Sequence, residues 1–519
     1  MEKTLFTEET NDFIKQKRVL LKHRNNLQKQ LIDLENLKIF KLRRIVAEKR
    51  FIRTIIAYML KRTSGLFRKI TNKIPLLKTL EGKLRLYVSY LNGSRADLTR
   101  FKKQLYVEKN LKEEAEPIAG LISVIIPTFN AGVFFDLVLR KITTQKYVPN
   151  LELIVIDSGS TDGTVSLAKK YGAKILTIDK KEFSHAKVRN KAAKAAKGSF
   201  LFFTVQDAAL LNEDSLYGMV HFLWQNKLGA ISGKQTPRSD ADAFASWQLA
   251  SFAKMINPDQ KDIVVKIKPD EFKSLSAANK RAVCTIDDVC AVYDKEAFDK
   301  VGGLNNKLGY GEDLDVAKRL IESGYGLGYL FSTGVIHSHT RPANYFVKRF
   351  YTDTVFLYRV FKDMPSKPFY ADIPLSILLS SLVSFGRKLA ISSASISTIY
   401  LKDFEYNSTL KKKIDKPMTN LLSLEFLEDL GLNFIRKNEK PNLKIEQEVS
   451  NLFKSIKIDA EEFMNGYFSA PMSQAQATDV IDKIFAICAT NMMAVYQISQ
   501  ANQKSPELLK LHSLLTEEI

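Results

Sequence analysis

The strongest constraint in this sequence is an alternation. Four short runs of β-forming residues, 121–127, 151–157, 173–178 and 199–205, are separated by stretches of helical spacing at 134–145, 164–171 and 184–197. Strand-length runs alternating with helix-length stretches predict βαβ units and a parallel core to the sheet. Gly198 is placed to cap the last of these helices. In an open α/β sheet, ligands bind outside the carboxyl ends of the strands, so the residues just after each run are the first candidates for chemistry. They are Pro127-Thr-Phe-Asn-Ala-Gly132, Asp157-Ser-Gly-Ser-Thr-Asp-Gly-Thr164 and Gln206-Asp207-Ala208. Acidic groups and small hydroxyl residues therefore converge on one edge. Asp162 is open to two readings, a site carboxylate or an N-cap of the helix that follows. The first turn lacks a G-x-G-x-x-G pattern, which disfavours a dinucleotide site.

The flanks differ from this α/β core. Residues 17–112 hold 26 Lys/Arg against six Asp/Glu, and so carry almost all of the chain's formal +21. Phe13, Leu20, Leu27 and Leu34 recur every seven residues, and 51–60 and 84–91 are apolar stretches set among basic residues. The expectation is a helical, basic arm over residues 1–116. It is either a solvated hairpin packed on the main domain or an amphipathic segment on an anionic membrane surface. It lacks the interleaved aromatics and groove-reading motifs of nucleic-acid binders. A catalytic α/β domain over 117–362 and a helical domain over 363–519, structural or assembly-forming with self-association left open, complete the expected organisation. An apolar content of 45% with 10% aromatics excludes a disordered chain. Three cysteines, Cys284, Cys290 and Cys488, do not make a disulfide framework and fit a reducing compartment. Residues 373–386 lack charge but are too short to span a bilayer, and 484–503 are too polar. The start, Met1-Glu-Lys-Thr, has no secretory h-region.

Beyond the alternation, specific segments carry a resemblance. Residues 123–130, 154–164 and 202–208, with Val301-Gly-Gly-Leu304 and Gly311-Glu-Asp-Leu-Asp315, resemble family-two nucleotide-sugar glycosyltransferases of GT-A fold. Phe183-Ser-His-Ala-Lys-Val-Arg-Asn190, residues 288–298 and Ile336-His-Ser-His339 resemble, more closely, bacterial rhamnosyltransferases. The likeness covers about residues 120–362. It implies a Rossmann-like mixed sheet flanked by helices. It also implies an inverting, metal-dependent transfer of a sugar to a glycan or lipid-linked acceptor at the inner face of a bacterial membrane. The implied donor is deoxythymidine diphosphate rhamnose or another nucleotide diphosphate sugar, with a galactofuranosyl or other hexosyl donor as the alternative. A non-catalytic glycan-assembly scaffold on the same fold is the rival from another class.

The resemblance also implies roles for residues. Pro127, Thr128, Asn130, Asp157 and Ser158 would line the nucleotide pocket, with Asp157 on the base. Arg189 and Asn190, one turn into a helix whose N-terminus favours phosphate, would reach the donor. Gln206-Asp207 stands where the family carries a D-x-D-type motif, so only Asp207 is charged and a further ligand for Mn²⁺ or Mg²⁺ is needed. His337 is that candidate and His339 the second choice, two of only six histidines set two apart beside Arg341. Asp313 would be the general base, with Glu312 and Asp315 orienting it. In isolation these acids equally complement a helix dipole. Asp287, Asp288 and Trp247 are candidate acceptor contacts, although an aromatic among helical apolar residues is more often core.

Overall fold

A computed structural model of the chain describes residues 102–104, 118, 120–361, 368–394, 398–399, 440–467, 472–500 and 505–516. All of them lie in one compact unit, Ser94–Ile519. The heptad trace and the apolar stretches of the basic arm lie outside the described residues. Within the expected helical arm, only Lys102–Gln104 is described, and it is a strand, β1.

The alternation folds as expected: β2 (Ile122–Thr128), α1 (Phe134–Thr143), β3 (Leu151–Asp157), α2 (Thr164–Lys170), β4 (Lys174–Thr177), α3 (His185–Ala195) and β5 (Phe200–Thr204). Every residue of β2 and β5 is buried, which is why these runs are continuously apolar instead of alternating. In α1 the buried Phe135, Val138, Leu139 and Ile142 form a single stripe that packs on the sheet. Gly198 is not a helix cap. α3 ends at Ala195 with Ala196 as its C-cap, and a Cβ at Gly198 would come within 2.7 Å of the Ser123 backbone nitrogen and 2.6 Å of the Leu121 oxygen. The glycine is required because the chain passes directly against β2.

The next part of the chain comprises β6 (Ala209–Leu210), α4 (Ser215–Gln225), β7 (Leu228–Thr236), α5 (Ala243–Ile256), β8 (Ile263–Val265), α6 (Pro269–Lys273) and α7 (Ala277–Val283). It continues through β9 (Cys290–Asp294), α8 (Lys295–Lys300), α9 (Glu312–Glu322) and β10 (Gly326–Ile336). The strand order is β1-β8-β10-β7-β9-β5-β2-β3-β4, with β6 beside β10. β5, β2, β3 and β4 are mutually parallel. β9 is inserted antiparallel to both β5 and β7, and β10 runs parallel to β7. The sheet is therefore mixed, yet β2, β3, β5, β7 and β10 all end at one edge, and β9 begins there.

Two apolar layers cover the two faces of the sheet. The side chains of Val124 and Ile126 enter the layer that includes α1 and α4, and that of Ile125 enters the layer that includes α3 and α9. A third core joins α5 to α10 (Ala343–Phe361), α11 (Leu375–Ala394), α12 (Leu443–Tyr467), α13 (Gln474–Ser499) and α14 (Pro506–Thr516). A two-strand ladder, β11 (Thr398–Ile399) with β12 (Met472–Ser473), accompanies these helices. Trp247 belongs to this core: its ring packs on Phe244, and its Nε1 donates to Asp459 Oδ2 at 3.1 Å. The structure places it as a packing residue of this core. Among the described residues, no helix is long and apolar enough to cross a membrane.

Candidate active site

The loops after β2 and β3 interlock by hydrogen bonds that consume most of their polar side chains. Asp157 is buried, and its carboxylate accepts from Thr128 Oγ1 (2.9 Å), the Gly159 and Ser160 amides (3.0 and 2.9 Å) and Ser160 Oγ (2.5 Å). These donors outweigh desolvation and hold its pKa below the usual carboxylate range. The Ser158 amide and hydroxyl both donate to the Thr128 carbonyl. Asn130, at φ 44°, accepts from the Thr161 amide, and its own amide donates to Ser160 Oγ. Asp162 is not the N-cap of α2, a position Gly163 takes; one residue earlier, it ties the turn by accepting from the Thr164 amide and hydroxyl and from the Gly132 amide. Pro127, Thr128, Asn130, Asp157 and Ser158 are thus brought together, with Asp157 as the centre that shapes the loop.

Gln206 explains the departure from the D-x-D pattern. Its Oε1 accepts from the Phe129 amide (2.8 Å) and its Nε2 donates to the Phe129 carbonyl (3.2 Å). A carboxylate could make only the first of these bonds. Gln206 therefore clips the end of β5 to the loop after β2, which is the point where the strand order reverses.

One residue on, Asp207 meets the two histidines that follow β10. His337 Nε2 lies 3.6 Å from Asp207 Oδ1, His339 Nδ1 lies 3.6 Å from Asp207 Oδ2, and the two Nε2 atoms are 3.1 Å apart. Each residue can offer one ligand atom within 4.8 Å of the others. Two adjacent ligands at about 2.1 Å from a cation sit about 3 Å apart, so the spacing suits one. His337 is oriented from behind. Gln235 Nε2 donates to Asp287 Oδ2 (2.6 Å), which leaves Gln235 Oε1 to accept from His337 Nδ1 (2.8 Å) and turns the Nε2 lone pair toward Asp207. Burial lowers the pKa of His337 and, with His337 beside it, brings His339 down to about 4. Both rings are therefore neutral at physiological pH, the form that ligates metal. Two imidazoles and a carboxylate favour Mn²⁺ over the all-oxygen preference of Mg²⁺.

The acidic helix start sits deeper. Glu312 and Asp313 open α9 after Gly311, which adopts φ 75°. Arg189 is 3% exposed, with Nη1 3.1 Å from Glu312 Oε1 and Nε 3.7 Å from Asp288 Oδ2. Arg189 therefore does not reach out to a donor; it is shared between two buried carboxylates. Asp288 also accepts from Tyr293 Oη at 2.6 Å, and burial raises it to about 6 despite Arg189. Asp313 is pushed well above the carboxylate range by burial first, and then by Glu312, Asp288 and Asp287. Asp287 is half-buried and supports Gln235, and Asp288 is buried and pairs with Arg189. Asn190 is committed to the chain after α8, with its amide bonded to Leu304 O, Leu304 N and Asn306 Oδ1. Asp315 does not orient Asp313; it binds Arg319 Nε at 2.8 Å, and Arg319 holds the Val301 and Gly303 carbonyls.

Motif reading missed three residues. Gln235 carries no motif signal, because its role exists only across the β7–β10 pairing. Arg349 on α10 stacks over Tyr310 (4.3 Å), bonds its hydroxyl and pairs with Asp353 at 3.1 Å, pinning the turn three residues before Asp313. The i,i+4 charge pair was its only trace in the sequence. His185, within a segment already singled out, has a buried Nδ1 without a hydrogen-bond partner among the described residues. Burial, with Arg189 and Arg349 nearby, lowers it to about 3.

Comparison with known proteins gives a consistent picture. The family model described as "Glycosyl transferase family 2" matches residues 123–302. The chain is 33% identical over 239 residues to the O-antigen chain rhamnosyltransferase RfbN of Salmonella typhimurium (strain LT2), covering 45% of this chain and 72% of that relative. It is 29% identical over 238 residues to the O-antigen chain rhamnosyltransferase WbaN of Salmonella anatum, covering 45% and 71%. Among solved structures, the mannosyltransferase PcManGT from Pyrobaculum calidifontis in complex with GDP-Man and Mn²⁺ is 20% identical, with a TM-score of 0.36 over 49% of this chain and 67% of that one. At that score the structural likeness carries no weight.

Proposed function

Because the chain belongs to glycosyl transferase family 2, we propose that it transfers rhamnose, with inversion, from deoxythymidine diphosphate rhamnose to a glycan or lipid-linked acceptor of a bacterial surface polysaccharide. The observation that carries the reading is the pairing, on one sheet edge, of a cation-type trio (Asp207, His337, His339) with a proton-hungry carboxylate, Asp313. The two relatives named as O-antigen chain rhamnosyltransferases support the choice of sugar.

Transfer by one displacement needs a base for the acceptor hydroxyl, and a raised proton affinity brings Asp313 toward the operating pH, where general bases are most effective. Glu312 and Asp288, which share the single positive charge of Arg189, leave a net negative field that keeps the proton affinity of Asp313 raised. The loops after β2 and β3, held by Asp157 and Gln206, form the wall for the nucleotide. Asp207, His337 and His339 would hold a divalent cation, Mn²⁺ by donor type, which supplies the positive charge that a leaving diphosphate requires. The basic arm is assigned to holding the enzyme on anionic lipid. The net +20 of residues 17–112 supports this, as about 1 kcal/mol per basic residue near such a surface adds up quickly.

The test is thermal stabilisation by a panel of nucleotide sugars with and without Mn²⁺, followed by transfer assays on wild type and Asp313→Asn. The proposal expects deoxythymidine diphosphate rhamnose to stabilise both proteins in the presence of Mn²⁺, and the variant to lose transfer by about 10²–10⁴-fold. Stabilisation by a different nucleotide sugar alone refutes the donor, and unchanged transfer in Asp313→Asn refutes the base.

A further inference from the structure

The helices beyond residue 370 have so far been given no part in the chemistry. One side chain ties them to the site. Lys483, on α13, is 1% exposed, and its Nζ lies 2.7 Å from both Asp479 Oδ2 and Asp242 Oδ2, over the rings of Phe244 and Phe346. Asp479 stands one turn away on the same helix and would serve a purely local pairing. Asp242 is on the catalytic side, where its Oδ1 caps α5 by accepting from the Ala245 amide (2.6 Å). A buried ion pair is seldom the most stable way to fill such a space, because desolvation offsets most of the attraction. What it fixes is position.

The position it fixes leads to the histidines. The Asp242 amide donates to Thr340 Oγ1 (3.1 Å), the Arg238 amide to Ser338 Oγ (3.1 Å), and the His337 amide to the Thr236 carbonyl (2.9 Å). With the Gln235–His337 bond, these rungs lace residues 235–242 to 337–340 along their length. The far end of that lacing is Asp242, and Lys483 holds it. We propose that Lys483 is a positioning residue for the cation-binding loop, so that the C-terminal helices complete the catalytic domain instead of only adjoining it. The inference rests on the reading of Asp207, His337 and His339 as a Mn²⁺ site.

The experiment measures Mn²⁺ affinity of the full chain directly, from the loss of the free-ion electron paramagnetic resonance signal, for wild type and three variants. Lys483→Met and Asp242→Asn are expected to weaken Mn²⁺ about tenfold, the scale seen when outer-shell partners are lost. Asp479→Asn removes the local partner but leaves the bridge, and should stay within twofold of wild type. At saturating Mn²⁺, kcat should recover in both weakened variants while the KM for donor at low Mn²⁺ stays raised. If Lys483→Met does not fold, as circular dichroism will tell, Asp242→Asn carries the comparison, because Asn still caps α5. Equal Mn²⁺ affinity in wild type and Asp242→Asn, or equal weakening in all three variants, overturns the inference. A wild-type chain that does not bind Mn²⁺ overturns the metal reading, and the inference falls with it.

Discussion

Arg189→Met separates two accounts of one arginine. If Arg189 met the donor diphosphate, the variant would bind donor poorly and melt normally. The structure gives the opposite expectation. Arg189 is sealed between Glu312 and Asp288, at 3.1 and 3.7 Å, with side-chain exposures of 4%, 9% and 3%. Removing one member of a buried charge cluster leaves the others uncompensated, at about 3–5 kcal/mol. Unfolding entropy of about 2.1 cal/mol/K per residue over a unit from Ser94 to Ile519 is about 0.9 kcal/mol/K, so Tm should fall by about 3–6 °C. The loss should also depend on pH. Asp288 is raised in the folded state to about 6, so its contribution to stability is present below the unfolded carboxylate pKa and lost as pH rises through about 6. Without Arg189, whose charge lowers the Asp288 pKa, that pKa rises further and more stability is lost at neutral pH. The variant's Tm deficit should therefore be larger at pH 8 than at pH 5. Adding Glu312→Gln and Asp288→Asn to Arg189→Met should restore most of it. Differential scanning calorimetry at the two pH values makes the measurement. A deficit below about 1 °C at both, together with a large loss of donor affinity, would refute the buried-cluster account.

Other expectations are more local. As the proposed base, Asp313 acts only when ionised, and its proton affinity is raised, so kcat should climb with pH on a limb lying above the ordinary carboxylate range, and Asp313→Asn should abolish that limb. Gly334 adopts φ 154°, where an added Cβ would lie 1.9 Å from the Lys234 carbonyl oxygen, at the register shift between β10 and β7. Gly334→Ala should therefore either prevent folding or displace His337, read as at least tenfold weaker Mn²⁺ binding in whatever folds. Gln206→Glu restores an acidic pair but loses the bond to the Phe129 carbonyl. It should raise donor KM several-fold and shift Tm by less than about 1 °C, and a lower KM would show that a second carboxylate is preferred there.

The local pattern settled a good deal of this protein. The apolar runs, the helical stripes and the turn residues after each strand depend on neighbours in sequence, so β2 to β5 and their helices were legible to within a residue or two. His337 and His339, set two apart, share a face in any extended chain, so their pairing could be read without a fold. Tertiary structure decided the partners. A carboxylate at a strand end looks the same whether it faces a ligand or its own loop, and only the interlocked turns show that Asp157 and Asp162 bond their own loops. The charge of Arg189 is visible in the sequence, but the two acids that claim it come from residues 288 and 312, brought together by an antiparallel strand that the alternation gave no sign of. The same holds for Trp247 and Lys483, whose surroundings come from helices some 200 residues away. Short-range periodicity thus specified the elements. The destination of each charge depended on contacts distant in sequence, because a buried ion takes its properties from whatever shares its low-dielectric space.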